Sequence, residues 1–262
     1  MQVRSGLPSI AELRAVTQPP TIFERDSGEH WAGRLYMRRL SPYLTRLLLR
    51  TSVTPNAVTA LMSVTGVAAA VLVALPGILP ALGAVVLIQV QVLLDCSDGE
   101  LARWRDMRST AGVYLDRIGH YITEAALPIG LGVRADGGLD SIDGWTTLGL
   151  AAAVLVLLVK SETALVHVAR AESGKPLVQD TRAVAAPRGG LLRSLRRTLG
   201  LVPFYRAFVA MEFTLCALAA SVVDETGGGL VGSRVLVAVL APLAAIVAAG
   251  HLLAILASNR LR

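Results

Sequence analysis

Apolar segments long enough, or nearly long enough, to cross a bilayer recur six times along this chain. They are Asn56–Ile78, Leu79–Leu94, Thr110–Gly132, Trp145–His167, Ala207–Val223 and Val231–Ala257. A spanning helix needs about 20 apolar residues. The second segment is shorter, but it runs on into a polar stretch that can continue the helix. With no water in the bilayer core, backbone groups must bond within a helix or a closed barrel. Runs this long without strict alternation exclude the barrel. The chain is 53% hydrophobic and only 17% charged, too apolar for a soluble domain to cover itself. The expected architecture is all-α: an integral membrane protein with six transmembrane helices.

The sequence ahead of the first span divides in two. Residues 1–30 lack the apolar core of a signal peptide and read as a mostly irregular cytoplasmic tail. The stretch WAGRLYMRRLSPYLTRLLLR follows, with Arg34, Arg38, Arg39, Arg46 and Arg50 set among leucines and aromatics. That pattern suits a juxtamembrane amphipathic helix lying in the headgroup layer. Residues 31–262 are expected to form one membrane domain. Connections are short except around 168–203, where PRGGLLRSLRRTLG (187–200) also reads as a surface helix.

Charge sets an expected orientation. Arginine and lysine gather in 34–50, 103–108 and 160–206 and at Arg260 and Arg262, whereas 135–144 and 224–229 are acidic or sparse. Positively charged loops stay inside, so both termini are expected at the cytoplasmic face of the cell membrane. The net charge of +6 suits anionic headgroups and phosphorylated substrates rather than nucleic acid. Two cysteines, without CxxC spacing, argue against a structural zinc site or a disulfide framework.

Within this apolar chain the stretch LLDCSDGELARWRDMRSTAGVYLDRIGHY (93–121) stands out. An ionisable group inside a membrane is costly and is read as functional by default. Asp95 and Asp98 are three residues apart, and Asp116 and His120 four apart, so each pair shares a helix face. The basic turn between them is short enough to join two antiparallel helices and bring the pairs together. Clustered carboxylates repel unless a cation neutralises them, and oxygen donors without cysteine suggest Mg²⁺ or Mn²⁺. Gly99, Ala102 and Gly112, on or near this face, would let a ligand or another helix come close.

These residues resemble the signature of the CDP-alcohol phosphotransferase (CDP-alcohol phosphatidyltransferase) family, D-x2-D-G-x2-A-R-x8-G-x3-D-x3-D. Asp95, Asp98, Gly99, Ala102, Arg103, Gly112 and Asp116 fit it at the required spacing. VTPNAVT (53–59) is similar to the segment that precedes the motif in family members. The resemblance implies a six-helix membrane enzyme, commonly a homodimer in phospholipid biosynthesis. It would move a phosphatidyl or other phospho-alcohol group from a CDP-linked donor, such as CDP-diacylglycerol, to a hydroxyl acceptor, with release of CMP. By the same resemblance Asp95, Asp98 and Asp116 hold the metal, Gly99, Ala102, Arg103 and Gly112 face the nucleotide, and Thr54 and Asn56 are further nucleotide contacts.

His120 stands where the family has its last aspartate. Three readings compete for it. It is the base that takes the acceptor's proton, its reference pKa of about 6.5 suiting that role; or it is a metal ligand; or it marks a site that binds nucleotide without turnover. Glu124, one turn on, is a candidate partner for His120 or an alternative base. Arg117, Glu124, Lys160 and Arg206 are candidates for an acceptor pocket, suited to a phosphorylated acceptor. Lys160 with Glu162, and Arg206 with Glu212, read equally well as ion pairs. Two further alternatives are a relative that makes a soluble polyol phosphodiester and an ion-coupled transporter. The glycine–alanine–arginine spacing argues against the transporter.

Overall fold

The computed structural model describes residues 7–19, 31–176 and 204–261; the stretch 187–200, expected as a surface helix, lies outside them. The described residues are all-helical. In chain order the α-helices are α1 Ile10–Thr17, α2 Arg38–Leu48, α3 Pro55–Ala74, α4 Ile78–Trp104, α5 Thr110–Asp136, α6 Gly144–Glu172, α7 Ala210–Gly227 and α8 Val231–Ala257. A π-helical turn, Gly33–Met37, leads into α2, and 3₁₀ turns lie at Leu139–Ser141 and Phe204–Phe208.

Local chemistry sets several of these ends. Thr54 Oγ1 accepts the Ala57 amide at 3.2 Å, and Pro55 takes the first position of α3, where its missing N–H costs nothing. Ser109 Oγ accepts from the Gly112 amide at 3.0 Å at the start of α5. Asp136, the last residue of α5, accepts the amides of Asp143, Trp145 and Thr146 and so caps α6. Helix α7 stops at Gly228, whose φ of +68° is a left-handed conformation that glycine adopts freely.

Helices α3, α4, α6 and α8 are each long and apolar enough to cross a membrane. Helices α5 and α7 occupy the other two expected spans but carry more charge, with Asp116, Arg117, Glu124, Arg134 and Asp136 in α5 and Glu212, Asp224 and Glu225 in α7.

The chain packs as two units. The first comprises the described residues of Met1–Gly66 and Leu87–His120, the second Val67–Val86 with the described residues of Tyr121–Arg262. The dividing line passes through α3, α4 and α5.

In the first unit the expected irregular tail contains α1. Ser9 Oγ accepts the Glu12 amide at 3.1 Å, which starts the helix, and Leu13 and Thr17 are fully buried, which holds it. Helix α2 is inside out by the standard of a soluble protein. Its polar residues Ser41 and Thr45 are fully buried, while Leu40, Tyr43 and Leu47 are 51, 60 and 57% exposed. The polar face points inward because the carboxylate of Glu100 on α4 needs donors: Ser41 Oγ donates at 2.5 Å and Thr45 Oγ1 at 2.7 Å.

In the second unit α8 packs along α6 and α7. A buried polar cluster ties four segments of this unit together: α5, α7, α8 and the α3–α4 connection. Arg134 is 1% exposed. Its Nε donates to Ser233 Oγ at 3.0 Å and lies 3.6 Å from Asp224 Oδ2, and its Nη1 donates to the carbonyls of Leu75 and Gly77 at 3.1 and 3.2 Å. Asp224 also accepts from the Ser233 amide and hydroxyl, at 3.1 and 2.5 Å. Removing one partner of a buried pair strands the other and costs about 3–5 kcal/mol, whereas replacing both with apolar side chains often costs far less. Arg134→Met should therefore lower the thermal unfolding midpoint in detergent sharply, and adding Asp224→Leu should restore much of it. Equal losses in the single and double variants would show that the pair is not the source of the effect.

Candidate functional site

Helix α4 does not stop where its apolar run ends. It continues through the acidic stretch to Trp104, so Asp95, Asp98, Glu100 and Arg103 all project from one helix. The chain then turns through Asp106, whose φ is +53°, and re-enters α5 at Thr110. Arg105 closes this turn onto the α2–α3 connection: its guanidinium donates to the carbonyls of Thr51 at 2.7 Å and of Val53.

Asp95, Asp116 and His120 converge, and their ligand atoms all lie within 4.8 Å of one another. His120 Nε2 is 3.3 Å from Asp95 Oδ1 and 3.5 Å from Asp116 Oδ1. A single imidazole nitrogen thus faces two carboxylate oxygens from two helices. The three side chains are 34, 42 and 36% exposed, so a ligand can reach them. Asp116 Oδ1 itself is covered and has no hydrogen-bond partner. A cation would supply what that oxygen lacks, and the two-carboxylate, one-imidazole set admits a divalent ion, with the imidazole favouring Mn²⁺ over Mg²⁺.

Asp98 is engaged by α3. It is 8% exposed, and Thr59 Oγ1 on α3 donates to its Oδ2 at 2.6 Å. It is not one of the convergent three, although it lies within electrostatic reach of Asp95 and Asp116.

The other residues singled out in the sequence have the following surroundings. Arg103 folds back over Gly99, where a Cβ would come within 3.1 and 3.2 Å of its two terminal nitrogens. Its Nε donates to the Thr17 carbonyl of α1 at 2.6 Å. Ala102 is half-buried one position before it. Gly112 faces Asn56: a Cβ there would sit 3.0 Å from Asn56 Oδ1. Thr54 is exposed and caps α3. Arg117 is exposed.

In the second unit Glu124 pairs with Lys160 Nζ at 2.7 Å, and that ammonium lies 5.3 Å from the centre of the Tyr121 ring. Lys160 thus pairs with Glu124 rather than with Glu162, which is buried with one carboxylate oxygen unbonded. Arg206 Nε lies 3.1 Å from Glu212.

Two contributors were missed in the sequence. Glu100 occupies an unspecified position of the motif, yet it is fully buried and accepts from Gln18, Ser41 and Thr45. No local signal marks it, because a glutamate near a helix end ordinarily reads as solvated. Gly119 lies against α3, where a Cβ would overlap Ser63 Oγ and come within 2.7 Å of Met62 Cε. Its place immediately before His120 was the available signal.

The sequence profile described as CDP-alcohol phosphatidyltransferase matches residues 52–223. No curated protein matches the chain. The match includes α3, α4 and α5 and with them every residue of the convergent cluster.

Gly119, one residue before His120, lies close against Ser63 and Met62 of α3. Overpacking of this kind costs about 1–3 kcal/mol, equivalent to roughly tenfold in an affinity that depends on the geometry. Gly119→Ala should weaken Mn²⁺ binding, read by electron paramagnetic resonance, and Ser63→Ala in the same chain should recover most of the loss. A Gly119→Ala variant that binds Mn²⁺ like the parent would show that this contact does not position the cluster.

Proposed function

The chain belongs to the CDP-alcohol phosphatidyltransferase family, and from that premise we propose that it is a membrane-embedded transferase. It takes a phosphatidyl or other phospho-alcohol group from a CDP-linked donor, CDP-diacylglycerol being the lipid form, and gives it to a hydroxyl acceptor. The acceptor oxygen bonds to the phosphorus that carries the alcohol, the bond from that phosphorus to the bridging oxygen breaks, and CMP leaves. The observation that carries this reading is the convergence of Asp95, Asp116 and His120 at motif positions.

The chain's own groups divide the work. Asp95, Asp116 and His120 would hold Mg²⁺ or Mn²⁺, which when bound supplies positive charge against the donor's phosphates. Imidazole Nε2 has a single lone pair, and its position between two carboxylate oxygens supports giving it to the cation rather than to the acceptor's proton. Glu124 is then the candidate base. Arg103 offers its terminal nitrogens to the diphosphate over Gly99, which has no side chain to obstruct it. Asp98, anchored by Thr59, keeps a third carboxylate within electrostatic reach of the cluster. Thr54, Asn56, Ala102 and Gly112 are proposed to border the nucleotide. Arg117, Lys160 and Arg206 are proposed for the acceptor side, and a phosphorylated acceptor would compete with Glu124 and Glu212 for the last two.

The setting is proposed to be the cell membrane, with residues 31–262 as one membrane domain, six spans including α5 and α7, and a homodimeric assembly. The exposed Leu40, Tyr43 and Leu47 support an interfacial role for α2, since that face has lipid as its natural solvent. With both termini cytoplasmic, the cluster meets the cytoplasmic nucleotide pool.

Asp116→Asn should abolish CMP release from CDP-diacylglycerol in proteoliposomes supplied with candidate alcohols, while the protein still inserts. His120→Ala should weaken Mn²⁺ binding about tenfold or more, and His120→Asp should retain it. Full turnover in Asp116→Asn would exclude this site as the centre of transfer. Orientation has its own check, in a background with Cys96 and Cys216 changed to alanine. An impermeant thiol reagent added to intact cells should label Asp140→Cys and spare Arg108→Cys; the reverse pattern would place the cluster on the wrong side of the membrane.

A further inference from the structure

Arg103 reaches across 86 positions of sequence to the end of α1. Its Nε donates to the Thr17 carbonyl at 2.6 Å. That carbonyl lies in the last turn of a helix, where backbone oxygens have no partner within the helix and where the dipole favours a cation. Thr17 is fully buried. The bond uses only the inner nitrogen of the guanidinium, leaving Nη1 and Nη2 side by side over Gly99. A planar fork held by one edge presents its other nitrogens in a fixed direction, which is the arrangement that recognises phosphate oxygens in pairs.

Helix α1 is held in place by more than one contact. Gln18 Nε2 donates to Glu100 Oε1 at 2.7 Å and to the Arg38 carbonyl at 2.8 Å. Arg14 Nη2 donates to the Arg39 carbonyl, and Arg46 Nε to the Pro8 carbonyl, each at 2.9 Å. Leu13 is fully buried. Eight residues make a helix too short to persist alone in water, so its presence depends on this docking. Glu100 lies one residue from Gly99 and three from Arg103, so the same two turns of α4 receive both of the bonds from the end of α1.

We propose that α1 is a positioning element for the donor site: by docking on Glu100 through Gln18 it presents the Thr17 carbonyl that orients Arg103 toward the donor's diphosphate. This rests on the donor-site reading above. It gives the N-terminal segment, which lies outside the residues matched to the family, a part in nucleotide affinity. Thr17 and Gln18 act through Arg103 and need not touch the nucleotide themselves.

The test measures the affinity of the full-length chain for CDP, in detergent with Mg²⁺, in parent, Gln18→Glu, Leu13→Asp, Arg103→Ala and Gln18→Glu/Arg103→Ala. Gln18→Glu sets a second carboxylate against Glu100, and Leu13→Asp breaks the buried contact. Hydrogen exchange at residues 10–17 reports whether α1 has undocked. Arg103→Ala should weaken CDP binding about tenfold, the loss expected for a charge-assisted contact. Gln18→Glu and Leu13→Asp should each weaken it several-fold with exchange in α1 accelerated. The double variant should bind like Arg103→Ala alone, because α1 then has nothing to orient. Losses that multiply in the double variant would assign α1 a merely structural role and overturn the proposal. So would unchanged or tighter CDP binding with α1 undocked, or retained protection of α1 in both single variants. Unchanged affinity in Arg103→Ala would instead remove the donor-site reading itself.

Discussion

A carboxylate on an apolar helix must be given a donor or a counter-charge, and three such groups lie within two turns of α4. Each is satisfied by a different neighbour. Asp95 meets His120 of α5 at 3.3 Å, Asp98 accepts from Thr59 of α3 at 2.6 Å, and Glu100 accepts from Ser41 and Thr45 of α2 and from Gln18 at the end of α1. Leaving any of them unmet would cost more than an average hydrogen bond gains. The first unit can therefore be read as one helix whose three acids specify where four other helices go. The inverted face of α2 follows directly, since its polar stripe is claimed by Glu100 and its apolar stripe is left to face outward.

That dependence also explains which parts of the structure were legible in the sequence. Apolar runs determine helices locally, so α8 was found at its observed limits and α5 began where expected. The i, i+4 spacing of Asp116 and His120 and the short turn after Trp104 were enough to anticipate the meeting of Asp116, His120 and Asp95. Glu100 was not legible, because nothing within ten residues of it says that it is buried; its donors are 55, 59 and 82 positions away. Helix α1 was missed for the same reason, its stability being borrowed from Glu100 and from the burial of Leu13. Asp98 was grouped with the convergent acids on spacing and on the family resemblance, and its bond to Thr59, on a separate helix, was not legible in either. Arg134 and Asp224 lie in separate apolar runs and meet only once the helices carrying them pack.

The departure at position 120 changes the balance of the cluster in a way that spacing could not reveal. Three aspartates at positions 95, 116 and 120 would bring three like charges together, and without a cation they would repel one another. With histidine there, one imidazole nitrogen stands 3.3 Å from Asp95 and 3.5 Å from Asp116, and when it carries a proton it can donate to Asp95. The consequence for binding is a competition. A cation at the proposed site would gain an imidazole lone pair but meet one negative charge fewer than three aspartates would offer, and it would have to displace the contact between His120 and the carboxylates. The proposed metal site would bind a hard dication less tightly than an all-carboxylate one and give nitrogen-preferring ions a relative advantage.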